Sequence, residues 1–293
     1  MKIKKSIGST IFDISNSIFL IMFSIVCFIP LYIVIASSFA SPQELLNNKI
    51  ILFPKEFSLE NYLFVLKSDA FVRALMVSIF VTVVGTTFNL IMQFTMAYSL
   101  ADSELKGRGI FMKMVLFTML FSGGMIPTYL VVKSLHLTNT IWALIIPTAI
   151  SPFNLILAVN FFKGISPSLK ESARLDGAND LRILWSIILP VSKPALATFA
   201  IFYAVGHWNA FFDALIYITD HKLRPLQVVL RAVVILAEGL ANNAEISQAQ
   251  QDAVPPQGIK MAVIVIATLP IITVYPFCQK HFTKGLLVGS VKG

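Results

Sequence analysis

Long uncharged apolar runs alternate with short polar segments along this chain, and that alternation predicts its architecture. Residues 17–39, 74–100 and 114–132 contain no Asp, Glu, Lys or Arg, and 141–162, 195–219 and 261–278 complete a set of six apolar runs. Crossing the hydrocarbon core of a bilayer takes roughly 20 residues of helix. Backbone N–H and C=O groups in lipid find partners only within a helix or a closed barrel. Runs of this kind read as helices. The pattern predicts an all-α polytopic membrane protein, a single transmembrane domain over 1–293 with about six spans.

Composition agrees. Of 293 residues 56% are hydrophobic and 13% charged, with a mean hydropathy of +0.79; soluble domains carry about a quarter charged residues. Lys2, Lys4 and Lys5 precede the first run, and Ser38-Phe39-Ala40 has the small-x-small form of a signal cleavage site. A signal peptide's apolar region covers only about 7–15 residues, however, so the longer run 17–39 is read as an anchor. Six spans put both termini on one side. With that side inside, fourteen of the 23 Lys and Arg residues fall in inner segments and nine in outer ones, which favours cytoplasmic N- and C-termini. The same asymmetry accounts for the pI near 9.5 without a nucleic-acid partner. Cys27 and Cys278 have neither metal-ligand spacing nor a disulfide framework. No G-x-x-x-x-G-K-[ST] loop is present to cradle ATP phosphates. Neither catalysis nor a bound cofactor is expected of this chain.

Two outer connections are long. Residues 40–73 are rich in turn formers, and 220–260 contain a predicted helix over 226–240. Either could meet an external partner or simply be solvated. The largest inner loop, 163–193, is the polar exception in this apolar chain. Ser166-Pro167 predicts a helix start, with serine as cap and proline in the first turn. Ser168 to Glu171 has alternatively the spacing of a capping box. The helix runs to Asp176 and ends at Gly177, a residue able to adopt the left-handed conformation. Asn179 then caps a second helix, with Asp180 near its positive end. Leu181, Leu184, Trp185 and Ile188 recur at i, i+3, i+4 and i+7 as that helix's apolar face. Pro190 and Pro194 mark a break before the fifth span. A short polar helix such as the first needs tertiary contacts to persist, and an inner-side docking partner would supply them.

Glu171-Ser172-Ala173-x-x-Asp176-Gly177-Ala178, followed by Ile187-x-Leu189-Pro190, resembles the EAA loop of ABC-importer permeases. That family's form is E-A-A-x-x-D-G-A and then I-x-L-P; Ser172 for alanine is the one departure, small for small. The resemblance extends to Met125-Ile126-Pro127-Thr128-Tyr129, Ile141-Trp142, Trp208-Asn209 and the tail from Tyr275-Pro276 to Gly293. The chain is similar to the permeases of carbohydrate and complex-polysaccharide importers, such as the smaller permease of the maltose system. The resemblance implies a second, homologous permease, two cytoplasmic ATPase subunits holding ATP and Mg, an extracellular sugar-binding protein and a prokaryotic plasma membrane. It implies further that Leu169, Glu171, Ser172, Ala173, Leu175, Asp176, Gly177 and Ala178 seat on the ATPase, whose movement tilts the fourth and fifth spans. The polar tail 279–293 would reach between the ATPase subunits, its Gly285, Gly289 and Gly293 allowing an extended course. A permease for peptides or amino acids, a secondary transporter and a non-transporting scaffold are the competing classes.

The path itself is read from polar residues inside spans. Asn89 and Gln93 share a face of the second span, one turn apart. Asn154, His207, Asn209 and Asp213 are further polar groups, and such groups face a bundle interior or water. In a continuous fifth span Trp208 and Phe212 would share a face, and Asn209 and Asp213 would lie one turn apart. Trp208 could then stack on a sugar ring while Asn209 and Asp213 hydrogen-bond its hydroxyls. Interhelical hydrogen bonding is the other use of such residues. Pro127, Pro147, Pro152, Pro270 and Pro276 are read as helix kinks.

Overall fold

A computed structural model of the chain describes residues 7–47, 51–241 and 255–290. Its helices fall into two compact units, Met1–Asp69 with Leu230–Thr268, and Ala70–Val229 with Leu269–Gly293. Among the described residues extended pairing is limited to an isolated bridge, Ala40 to Phe57.

In the first unit α1 (Ile7–Ser38) fills the first apolar run, with Pro30 inside it. None of its most apolar stretch is buried within the chain, as suits a helix facing lipid or another subunit. The connection after it is folded rather than free. Helices α2 (Pro42–Asn47) and α3 (Glu60–Lys67) follow. The Asn61 amide donates to the Ser38 and Ala40 carbonyls at 3.2 and 3.1 Å, and the Phe39 ring stacks on Phe57 with centroids 5.0 Å apart. Buried backbone oxygens are satisfied in this way at the point where α1 ends.

The second unit is organised around α4 (Asp69–Ala101), which buries Ala74, Ser78, Val81, Gly85, Asn89, Gln93, Ala97 and Tyr98 along one side. Helices α5 (Arg108–Leu120) and α6 (Met125–Ser134) occupy the third apolar run, which is therefore not one continuous helix. The break is at 121–124, where Gly124 has φ +88°. The Gly123-Gly124 pair makes that break inexpensive, because glycine carries no steric penalty at positive φ. The fourth run is likewise divided. Ile141–Leu144 forms a 3-10 turn, and α7 (Pro152–Lys163) begins only at Pro152, capped by the Ser151 side chain. Pro147 and Pro152 thus interrupt this span instead of kinking it, since neither can donate a helix hydrogen bond.

The loop over 163–193 follows as α8 (Pro167–Leu175), α9 (Asp180–Ile183), a π-helical segment Leu184–Ile188 and α10 (Leu189–Val191). It turns by 88° into α11 (Lys193–Asn209), with Ser192 at the corner between Pro190 and Pro194. The fifth apolar run also breaks: α11 stops at Asn209 and α12 (Phe212–Tyr217) starts afresh. The expected outer helix is present as α13 (Leu226–Ala241), and its first backbone N–H donates to Ser78 Oγ at 2.7 Å. The last helix, α14 (Pro256–Ser290), is continuous through Pro270 and Pro276. It also contains Gly285 and Gly289, so the described part of the tail is helical rather than extended. Glycine costs a helix only about 1 kcal/mol relative to alanine; Gly293 lies outside the described residues. Among the described residues three single helices are long and apolar enough to cross a membrane, Gly8–Ser38, Asp69–Ala101 and Pro256–Val274, and the bent pair Asp180–Val191 with Lys193–Asn209 makes a fourth if it is one span.

The main core of the second unit joins Phe94, Ala97 and Leu100 of α4 to Leu155, Ala158, Val159 and Phe162 of α7 and Phe199 of α11. Ile183, Leu184 and Ile188 belong to the same cluster. The second half of the polar loop is therefore rooted in the core.

Candidate functional site

The turn at Gly177 is built by backbone chemistry. Gly177 has φ +80°, its N–H donates to the Arg174 carbonyl at 3.0 Å, and the Ala178 N–H donates to the Ala173 carbonyl at 2.9 Å. These two bonds are the Schellman closure, which satisfies carbonyls that a helix end would otherwise orphan. Asp176 is the C-cap. Asn179 Oδ1 then accepts from the Arg182 N–H at 2.8 Å, starting α9. The start of α8 departs from expectation in detail. Ser166 precedes Pro167 as the cap residue, but its hydroxyl pairs with Ser168 Oγ at 2.8 Å and not with a backbone N–H.

The coupling residues expected from sequence divide by face. Ala173 is buried and Ala178 half-buried, whereas Leu169, Glu171, Ser172, Asp176 and Gly177 are exposed and Leu175 is 89% exposed. The expected apolar stripe of the following helix is corrected. Leu184 and Ile188 are buried together with Ile183, while Leu181 and Trp185 are 64% and 51% exposed. A π segment bonds i to i+5, so Ile183 and Ile188 align across it and the 3.6-residue stripe loses its phase.

The first helix does have contacts within the chain, against expectation. Arg174 Nη2 lies 3.2 Å from Asp180 Oδ1 and 3.6 Å from Asp102 Oδ2. The hydrogen bond that Arg174 donates to Asp180, aided by the charge of that carboxylate, raises the guanidinium pKa above its ordinary value. Lys170 Nζ sits 4.6 Å from the centroid of the Tyr98 ring, a cation–π distance. Neither Arg174 nor Asp102 was legible as a pair in sequence, because 72 positions of chain separate them.

Within the span region α4 and α11 run antiparallel and are joined by two rungs. Asn89 Oδ1 lies 3.0 Å from His207 Nε2, and the Tyr203 hydroxyl donates to Gln93 Oε1. The Asn89 amide donates to the Thr148 carbonyl at 2.6 Å, and the Gln93 amide to the Asn154 carbonyl at 3.3 Å. Ser151 N–H donates to the Tyr203 hydroxyl at 3.1 Å. Asn89 and Gln93 are fully buried, and their hydrogen-bonding capacity goes to neighbouring segments. Tyr203 was missed in the sequence reading. The available signal was spacing: Asn89 and Gln93 are i, i+4 on one helix, and Tyr203 and His207 are i, i+4 on the other.

Beside these rungs lies a cavity of about 470 Å³ lined by Asn89, Asn154, Phe202, Tyr203, His207 and Asp213, with the 144–151 segment completing it. Its lining residues include no Lys or Arg. The structure separates the expected sugar-contacting set. Trp208 is buried and is not part of the lining, and the Asn209 amide donates to its own helix at the Val205 carbonyl, 3.0 Å away. The helix break at Ala210 and Phe211, where Ala210 has ψ 116°, removes the one-turn relation between Asn209 and Asp213 and between Trp208 and Phe212. Neither glycine nor proline stands at that break. Among the described residues no cluster of His, Cys, Asp and Glu could hold a metal ion.

Comparison with known proteins gives consistent relatives. Residues 3–288 match the family described as binding-protein-dependent transport system inner membrane component. Protein LplC of Bacillus subtilis (strain 168) is 55% identical over 284 residues, covering 97% of this chain and 95% of LplC. The polygalacturonan/rhamnogalacturonan transport system permease protein YtcP of the same organism is 50% identical, covering 97% of this chain and 99% of YtcP. A chain in the crystal structure of a bacterial ABC transporter involved in the import of the acidic polysaccharide alginate superposes with a TM-score of 0.88. It is 34% identical, with 96% of this chain and all of that chain covered.

Proposed function

This chain belongs to the family of binding-protein-dependent transport system inner membrane components, and from that premise we propose that it is the permease subunit of an ABC importer for oligosaccharides. The named transport activities of its relatives support the sugar class. A second, homologous permease, two cytoplasmic ATPase subunits that hold ATP and Mg, and an extracellular sugar-binding protein complete the proposed complex. Both termini and the loop over 163–193 face the cytoplasm of a prokaryotic cell in this reading, by the distribution of Lys and Arg.

The observation that supports coupling is the outer face of α8. An 89% exposed Leu175 beside exposed Glu171, Ser172 and Asp176 is a mixed polar and apolar surface on a helix whose opposite face is anchored. That arrangement suits seating on a cytoplasmic ATPase, with Leu169 at its rim. The turn at Gly177 then passes displacement of α8 directly into the core through Ile183, Leu184 and Ile188. Coupling needs a two-state element that two sites bias, and a short helix hinged on a rooted segment supplies one.

For the path, Asn89, Asn154, Tyr203, His207 and Asp213 form the wall we assign to this subunit, while Trp208, Asn209 and Gln93 serve packing. The wall offers the Phe202 and Tyr203 rings and a single carboxylate, Asp213, a chemistry that suits a sugar ring and its hydroxyls. A reading in which the cargo is an acidic oligosaccharide is favoured by the names of the relatives. It places recognition of the cargo's charge outside this wall. Uptake of labelled neutral and uronate oligosaccharides into proteoliposomes holding the whole complex decides the class. Uptake should require ATP and loaded binding protein; uptake driven by an ion gradient without ATP would replace this reading with secondary transport. In the same membranes Lys170→Cys should react with an impermeant thiol reagent only from the ATPase side.

A further inference from the structure

The loop over 163–193 is joined covalently to α7 and α11, so displacement of α8 acts on those two helices by connectivity alone. The central helix α4 has no such connection, yet its inner end is held by the same loop. Arg174 reaches Asp102, the residue after α4, and Asp180, the first residue of α9, with one nitrogen. One turn earlier Lys170 lies over the ring of Tyr98 in α4, and the Tyr98 hydroxyl donates to Asp180 Oδ1 at 3.5 Å. Arg108 Nε donates to the Leu100 carbonyl at 2.9 Å, satisfying an orphan acceptor in the last turn of α4. The two cations that α8 presents, Lys170 and Arg174, thus meet the inner end of α4 within a single turn.

We propose that Arg174 is a positioning residue that clamps the coupling turn to the inner end of α4 and makes α4 a third driven helix. A guanidinium suits this role because it stays charged and its terminal Nη2 lies between the two carboxylates. Asp102 and Asp180 lie on different elements, so the clamp links α4, α8 and α9. The helix α4 carries Gln93 and Asn89 about 14 and 20 Å from Asp102, at 1.5 Å per residue. Through the His207 and Tyr203 rungs, displacement at the clamp reaches the cavity wall on α11. The charges are partly solvated, with Arg174 45% and Asp102 29% exposed in their side chains. The clamp therefore adds little static stability; its effect lies in transmission.

The inference rests on α8 being the coupling helix, and the test separates the two. Arg174→Gln, Asp102→Asn, the double variant and Glu171→Lys are compared in the full reconstituted complex for sugar transported per ATP hydrolysed and for ATPase co-purification. Arg174→Gln and Asp102→Asn should each lower sugar per ATP by about three- to fivefold, with the ATPase still bound. Effects of residues in one network are non-additive, so the double variant should be no worse than either, and Arg174→Lys should recover part of the loss. A wild-type ratio in Asp102→Asn, or additive losses in the double variant, would overturn the clamp and assign Arg174 to the ATPase contact. Full ATPase docking in Glu171→Lys would instead count against α8 as the coupling helix, whatever the clamp variants do.

Discussion

At the Asp102 end of α4 the polar groups are ions; midway along the same helix they are neutral. Asp102, Arg174 and Asp180 meet where each remains partly in contact with water. Asn89, Gln93, Tyr203 and His207 meet where none is exposed. Dielectric cost explains the difference. An ion moved into an apolar medium loses far more solvation than an amide does, and its partner repays that only in excellent geometry. Amides and phenols can be fully satisfied by two or three fixed hydrogen bonds, and within a span such bonds are worth about 0.6 kcal/mol on average. The ionic cluster can exchange its partners for water and is suited to motion. The neutral rungs spend their hydrogen bonds on one another and on neighbouring backbone, and hold α4 and α11 in register.

The largest effect should come from the hinge of the ionic region. Gly177→Val places a β-branched residue at φ +80°, a strain of about 1–3 kcal/mol, and opens the Schellman closure. Sugar uptake should fall below about a tenth of wild type while the amount of protein in the membrane is unchanged. Near-normal uptake would mean that the turn geometry is dispensable. The neutral region should respond less and differently. A Cβ on Gly85 would stand 2.6 Å from His207 Nε2, so Gly85→Ala must push the imidazole off Asn89. Overpacking of this kind costs about 1–3 kcal/mol, read as a lower midpoint of thermal unfolding in detergent. An unchanged midpoint would show that the ring has room to move. Smallest is Gln93→Leu, which removes the Tyr203 and Asn154 partners at a cost of about 1 kcal/mol. Its unfolding midpoint should drop slightly, with sugar per ATP closer to wild type than in the clamp variants. A loss of coupling as large as theirs would erase the distinction between a mobile and a static cluster.

Much of the loop was readable before any coordinates, because its signals are local. Ser166-Pro167, Gly177 and Asn179 each dictate a start or stop within four residues, and α8 begins and ends, and α9 begins, where those residues require. The broken spans were less legible. Hydropathy averages over a window and does not register a break that leaves composition unchanged. Gly123-Gly124 and Pro152 were visible signals for two of the breaks; between Trp208 and Asp213 there was none. That one gap displaced the expected sugar contacts, since every one-turn relation drawn across it depended on an unbroken helix.

By itself, then, the chain's order of residues determined a helical membrane protein, the helix–turn–helix of the loop over 163–193 and the polar residues that must avoid lipid. Each follows from solvation or from backbone chemistry acting over a few residues. Only the tertiary structure decided which polar residues find one another. Arg174 with Asp102, Asn89 with His207 and Gln93 with Tyr203 are separated by 72, 118 and 110 positions. The packing of α4 against α11 and the inner loop brings them together, and no local rule encodes that register.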